Sequence, residues 1–256
     1  MSRWLAVGMT LMLLSTAVKT FAVDAPMAGS FDAKGVRIHY LTQGAGEPVV
    51  LIHGLHASAA TNWKLPGIVD RLAKQQGVIA LDLPGHGQSD KPEREEAYGV
   101  QMAEDVALLL DHLQIKRAHI VGYSLGGMVA LKFITLHPER AISGTLGGMG
   151  WLREGSRLQD VWEKLPSREG SRTPAVCVHS VGQLAVTEET LVAIKIPMTV
   201  IVGDRDPVKK LYVAPLQNVR KDWPVIEIEG AGHINAILKP QFAEAIEKAL
   251  IQNHGK

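Results

Sequence analysis

Gly122-Tyr123-Ser124-Leu125-Gly126-Gly127 stands between an apolar strand pattern, Ala118-His119-Ile120-Val121, and a helical pattern that opens at Met128-Val129-Ala130-Leu131. A G-x-S-x-G turn bends the chain so sharply that its serine takes a strained backbone conformation, which excludes bulky Cβ atoms at the flanking positions. A strand must enter and a helix must leave, and the serine hydroxyl is presented at the sheet edge. The pentapeptide alone is a weak signal, since average glycine and serine usage yields one in roughly one chain in ten of this size; its strand-turn-helix context is what gives it weight.

A serine hydroxyl is a poor nucleophile at neutral pH, so this turn needs a base, an orienting carboxylate and an oxyanion site from elsewhere in the chain. Candidates for each are present. Gly230-Ala231-Gly232-His233-Ile234-Asn235 puts a histidine in a glycine-rich loop after the strand pattern Pro224-Val225-Ile226-Glu227-Ile228. Upstream, Met198-Thr199-Val200-Ile201-Val202 runs into Gly203-Asp204-Arg205-Asp206-Pro207, which delivers two acids into a turn. The chain order Ser, Asp, His is the one used by α/β-hydrolases and by neither of the two other well-known serine-hydrolase folds.

From Phe31 to the C-terminus the sequence resembles the α/β-hydrolase superfamily through several motifs at once. Besides the elbow, Val49-Val50-Leu51-Ile52-His53-Gly54-Leu55 is similar to the family's strand and oxyanion loop, and Leu81-Asp82-Leu83-Pro84-Gly85-His86-Gly87-Gln88-Ser89 to its D-x-P-G-x-G-x-S turn. The resemblance implies Ser124 as nucleophile, His233 as general base, and the backbone N–H groups of Leu55 and Leu125 as oxyanion hole. The family's G-x-x-D pattern selects Asp206 as the acid, with Asp204 as its rival.

Strand and helix patterns alternate along the chain, which predicts an α/β fold with a mostly parallel sheet covered on both faces. In the family this sheet is of the eight-stranded type. Strands are expected at 36–41, 49–52, 78–81, 118–121, 142–146, 199–202 and 225–228, and helices at 63–74, 100–113, 127–137, 209–221 and 240–252. Gly44-Ala45-Gly46 reads as a hairpin turn between the first two of these strands, which makes the start of the sheet antiparallel.

Residues 148–193 break the alternation and occupy the place of a lid, with short helices expected at 156–165 and 174–184. Trp151, Arg153, Trp162 and Arg168 fall in this segment. By resemblance it would furnish much of the acyl-pocket wall, and its shortness points to an open site for small substrates. Packing of Trp151 and Trp162 onto the core is the competing reading.

The chain has 256 residues, 46% hydrophobic and 21% charged, which suits one enzyme domain over 23–256. Lys and Arg number 27 against 26 Asp and Glu, so there is no electrostatic footprint for nucleic acid. His53 and His56 are spaced like metal ligands but lie at a strand end without a third ligand in reach; bracing of the oxyanion loop is the simpler role for His53. Residues 83–87 lack the lysine and helix opening of a phosphate loop, and Gly44-Ala45-Gly46 precedes a strand rather than a helix, so neither a nucleotide nor any other cofactor or metal is expected. Asn62-Trp63 fits a helix N-cap and a buried aromatic as well as a pocket wall.

Arg3 followed by the apolar stretch Trp4 to Leu14 and the small residues before Ala22 reads as an export signal over 1–22. The stretch is shorter than the ~20 residues of a membrane span. The expectation is therefore an exported protein, periplasmic or secreted, with no span in the mature chain; an uncleaved N-terminal anchor is the alternative, favoured by Lys19. Cys177 is the only cysteine, so no disulfide forms within the chain, and its apolar surroundings suggest a buried thiol.

Taken together, these residues predict a cofactor-free serine hydrolase, carboxylesterase-like, acting on a small ester or lactone. The same triad also serves carbon-carbon bond hydrolases, perhydrolases and haloperoxidases, and the fold serves non-catalytic small-molecule receptors.

Overall fold

The computed structural model describes residues 26–165 and 170–253. The export signal and Arg168 lie outside the described residues. Eight strands form one sheet in the order β1-β2-β4-β3-β5-β6-β7-β8, where β1 is Met27–Asp32, β2 Arg37–Gln43, β3 Glu47–Ile52, β4 Gln76–Leu81, β5 Ala118–Tyr123, β6 Ala141–Gly147, β7 Met198–Gly203 and β8 Val225–Ile228. β1 and β2 are antiparallel to their neighbours, and from β4 to β8 every pairing is parallel.

Period-two alternation divides the strand residues between two cores. Val50, Ile52, Ile79, Leu81, Ile120, Val200 and Val202 face one, and Val49, Leu51, Val78, Ala80, Val121 and Ile201 face the other. Because both faces are covered, β4 to β7 are buried at every position, so they read as continuous apolar runs rather than as alternating ones. The first core is closed by α2 (Val100–His112) and α3 (Leu125–Leu136), the second by α1 (Ile68–Leu72) and α8 (Pro240–Gln252).

Between β6 and β7 the chain leaves the sheet and forms α4 (Arg157–Lys164), α5 (Ala175–His179) and α6 (Glu188–Ala193), with a 3-10 turn over Ser180–Leu184. Thr187 caps α6 by accepting the Thr190 N–H. After β7, a π-helical turn, Lys209–Val213, leads into α7 (Ala214–Val219). Among the described residues no helix is long and apolar enough to cross a membrane.

The start of the sheet differs from the expectation. The Gly44-Ala45-Gly46 turn does not make a hairpin: β2 and β3 both pair with β4, which lies between them. The turn instead passes under the start of β4, where a Cβ on Gly44 would collide with the backbone of Ala73 and Gln76. The true hairpin is β1–β2, closed by reciprocal Ala33–Val36 backbone hydrogen bonds. The sequence gives no strand signal over β1, because its residues, MAGSFD, are mostly exposed and carry little apolar pattern.

Candidate active site

The parallel strands all end on one side, and the candidate residues lie just beyond those ends, where open α/β sheets form their ligand crevices. Ser124 follows β5 directly and caps α3, with φ 53° and ψ −117°. The flanking glycines permit this. A Cβ on Gly122 would strike the Gly126 carbonyl, and one on Gly126 would strike the Ile52 carbonyl at the end of β3. The elbow is thus pressed against the adjacent strand end, which brings the next loop to the serine.

That loop is Gly54-Leu55. A Cβ on Gly54 would sit 3.2 Å from the Ser124 Cβ. Three contacts hold the loop: the Gly54 N–H donates to Asn62 Oδ1 at 2.8 Å, His53 Nδ1 bonds the Gly54 carbonyl at 2.8 Å, and the Leu83 N–H donates to His53 Nε2 at 3.0 Å. The last bond assigns Nε2 as acceptor, so Nδ1 carries the proton. Both ring nitrogens are occupied, and burial pushes the His53 pKa down, so His53 is a neutral brace between two strand ends. Leu125, at the start of α3, has no partner for its N–H within the helix, as expected of a first helical residue. Leu55 follows Gly54 in the loop after β3, and Leu125 follows Ser124 as the first residue of α3.

His233 comes from the loop after β8. Its Nε2 lies 2.9 Å from Ser124 Oγ and its Nδ1 lies 2.8 Å from Asp206 Oδ2. Asp206 is 3% exposed, and its other oxygen accepts the Val208 N–H at 2.9 Å. Asp204 points elsewhere: it accepts the Ala231 N–H at 2.9 Å, and bonds from the Gly230 and Ala231 amides hold its carboxyl below the usual range. The His233 side chain is 35% exposed, so the relay opens to solvent on one side.

The Asp82 turn is also tied to this site. Asp82 Oδ1 accepts the Ala59 N–H at 2.7 Å, while Oδ2 meets the Gln88 N–H and His39 Nδ1, each at 2.9 Å. One buried carboxylate therefore gathers the far end of the oxyanion loop, the turn after β4 and strand β2. Residues 83–87 form the expected structural turn, but the sequence carries no signal for Asp82 reaching Ala59, a contact between separate loops, nor for Asn62 in the π-helical turn bending back to Gly54.

In the segment between β6 and β7, Trp151 donates its Nε1–H to the Val186 carbonyl at 2.7 Å, and Trp162 donates to the Tyr212 hydroxyl at 3.1 Å. Trp151 is buried and Arg153 stands over its ring, so its role here is packing. The segment is fastened to the rest of the molecule by Lys132 Nζ on the Ala185 carbonyl, by Gln183 on Glu95, and by a contact between Thr173 and His56 next to the oxyanion loop. Cys177 is buried in α5, where burial pushes its thiol up to about 12 and leaves it inert at neutral pH.

Comparison with known proteins agrees with this architecture. Residues 47–188 match the family described as the alpha/beta hydrolase fold, and the chain belongs to that family. It is 38% identical over 138 residues to the dihydrolipoyllysine-residue acetyltransferase component of the acetoin cleaving system of Pseudomonas putida, across 53% of this chain and 36% of that protein. It is 37% identical over 142 residues to 2-hydroxymuconate semialdehyde hydrolase of Pseudomonas sp. strain CF600, across 53% of this chain and 48% of that protein. The matched region spans about a third to a half of the length of these relatives. The solved structure of E-2-(acetamidomethylene)succinate hydrolase superposes with a TM-score of 0.73 over 89% of this chain and 100% of that one; at 20% identity this is a likeness of fold.

Proposed function

We propose that the protein is a serine hydrolase that cleaves a small carboxylic ester or lactone through an acyl-enzyme. The observation that carries this reading is the continuous relay from Ser124 Oγ through both nitrogens of His233 to buried Asp206. Ser124 attacks the acyl carbon while His233 Nε2 takes its proton, and His233 then returns the proton to the leaving group. Asp206 holds the ring so that Nδ1 carries the proton, and it stabilises the imidazolium that forms. As charge moves onto the carbonyl oxygen, the Leu55 and Leu125 amides donate to it, each worth about 3 kcal/mol by analogy with measured oxyanion donors. Water enters from the exposed side of His233 and resolves the acyl-enzyme.

The test is mass spectrometry after exposure to a fluorophosphonate probe, followed by turnover of p-nitrophenyl esters of increasing chain length. The expected result is a single adduct on Ser124, absent from Ser124→Ala, with fastest turnover of short acyl chains. A folded wild-type protein that takes no adduct would overturn the proposal.

Carbon-carbon bond cleavage is a second reading, favoured by the 37% identity to 2-hydroxymuconate semialdehyde hydrolase. Faster turnover of a 2-hydroxy-6-oxo-dienoate than of any ester would select it. The proposal also takes the protein to be exported through its N-terminal apolar stretch. A mature protein whose mass begins after Ala22 supports that; one beginning at Met1 in the cytoplasmic fraction overturns it.

A further inference from the structure

Tyr123 occupies the variable position before the nucleophile, where the elbow requires no particular side chain. Ser124 faces the crevice, whereas the Tyr123 ring is buried beneath the loop that carries His233. It stacks on the His233 imidazole with centroids 5.8 Å apart and an interplanar angle of 28°, and meets a second ring, Phe242, edge-on at 5.4 Å. Its hydroxyl donates to the backbone carbonyl of His233. A Cβ on Gly148 would come within 3.0 Å of this ring, so the loop after β6 also closes around it.

These contacts act on different freedoms of His233. The carbonyl bond fixes the peptide plane and hence the direction of the Cα–Cβ bond, while the stacked ring limits rotation of the imidazole out of its plane. Asp206 sets the remaining in-plane direction through Nδ1. Without the phenol, the turn over residues 232–237 is held by the Ala236 N–H on the Gly232 carbonyl, the Gly232 N–H on Asn235, and Asp204 on Ala231, none of which involves an atom of residue 233.

We propose that Tyr123 is a positioning residue that sets the separation of His233 Nε2 and Ser124 Oγ. Nucleophile and clamp are adjacent residues of one rigid elbow, so the distance between acid–base group and nucleophile is referred to a single backbone unit. A shift of about 1 Å in such a pair costs up to a hundredfold in rate. This proposal rests on the serine-hydrolase reading for its kinetic consequence but not for its structural one.

Tyr123→Phe keeps the ring stack and removes the phenol hydrogen bond to the His233 carbonyl. With p-nitrophenyl butyrate, kcat is expected to fall about tenfold or more, with KM within twofold, and fluorophosphonate labelling of Ser124 to slow in proportion. In the proton NMR spectrum the downfield His233 Nδ1–H signal is expected to broaden through faster exchange. Phe242→Leu loosens the same ring from its other side yet leaves the phenol hydrogen bond; it is expected to melt earlier while keeping kcat within twofold.

Unchanged kcat and an unchanged Nδ1–H signal in Tyr123→Phe would overturn the proposal, as would equal kinetic losses in Phe242→Leu. In the wild-type protein the Tyr123 hydroxyl proton must itself be protected from exchange; free exchange overturns the clamp without recourse to a variant. If the wild type shows no labelling at all, the hydrolase reading fails, and the two NMR signals alone decide the clamp.

Discussion

Asp204 and Asp206 lie two residues apart on one turn, and only Asp206 reaches the histidine: its Oδ2 is 2.8 Å from His233 Nδ1, whereas Asp204 binds the Ala231 amide at the root of the histidine loop. The first carboxylate supports the loop and the second supports the ring.

Asp206→Asn is accordingly expected to lower kcat by about 10⁴-fold, because the amide favours the wrong imidazole tautomer. Asp204→Asn retains a carbonyl acceptor and should cost less than tenfold. Steady-state kinetics on one ester decides the ranking, and the reverse order would reassign the acid.

Ser124 carries backbone strain that glycine would not. A residue held at φ 53° and ψ −117° stores about 1–3 kcal/mol. Ser124→Gly should therefore abolish turnover yet raise the melting temperature by roughly 2–12 °C, while Ser124→Ala leaves it near wild type. Equal melting of all three proteins would show that the elbow stores no strain.

Asn62→Ala leaves the Gly54 N–H without its acceptor and loosens the loop beside Ser124. The expected outcome is a fall in kcat of about tenfold alongside a stability loss of about 1–3 kcal/mol in urea titration. An unchanged kcat would mean that the His53 bonds hold the loop without help.

Two buried groups make stability depend on pH in opposite directions. Burial, reinforced by His53, pushes the pKa of His86 down from 6.5 to about 3. The unfolded chain therefore takes up a proton that the folded one refuses, and stability present above pH 6.5 is lost progressively as pH falls toward 3. Burial pushes Asp105, which is 2% exposed, up to about 7, against the hydrogen bond from Gln101. Here the folded state retains the proton, so stability falls as pH rises from the ordinary carboxylate range to about 7. His86→Asn should flatten the acid limb of a melting-temperature profile. Asp105→Asn should raise stability at pH 8 by roughly 2–4 kcal/mol and have little effect at pH 4. Parallel profiles for wild type and variants would contradict both assignments.

Much of the frame was legible because its signals are local. Continuous apolar runs such as Val49 to Ile52 and Met198 to Val202 mark strands buried on both faces, and Gly122, Ser124 and Gly126 encode a turn whose sterics depend on neighbours in the chain. α8 was read to its observed limits, because Pro240 opens it and an amphipathic period runs to Gln252. The predicted helix over 63–74 is instead a π-helical turn, Ala60–Lys64, followed by α1. Gly67, at φ 78°, separates the two, a break that apolar spacing alone does not disclose.

What the sequence determined by itself was the strand–elbow–helix unit, the order of serine, acid and histidine, and a parallel sheet with both faces covered. All three follow from the backbone geometry of consecutive residues and from apolar periodicity. Only the tertiary structure decided that β4 separates β2 from β3, that Asp204 turns to the Ala231 amide while Asp206 meets His233, and that Tyr123, Asn62 and Asp82 make contacts spanning from 8 to 110 residues of chain. Such contacts form between segments that have no common period or spacing, so their partners are set only when packing of the two cores brings the strand ends together.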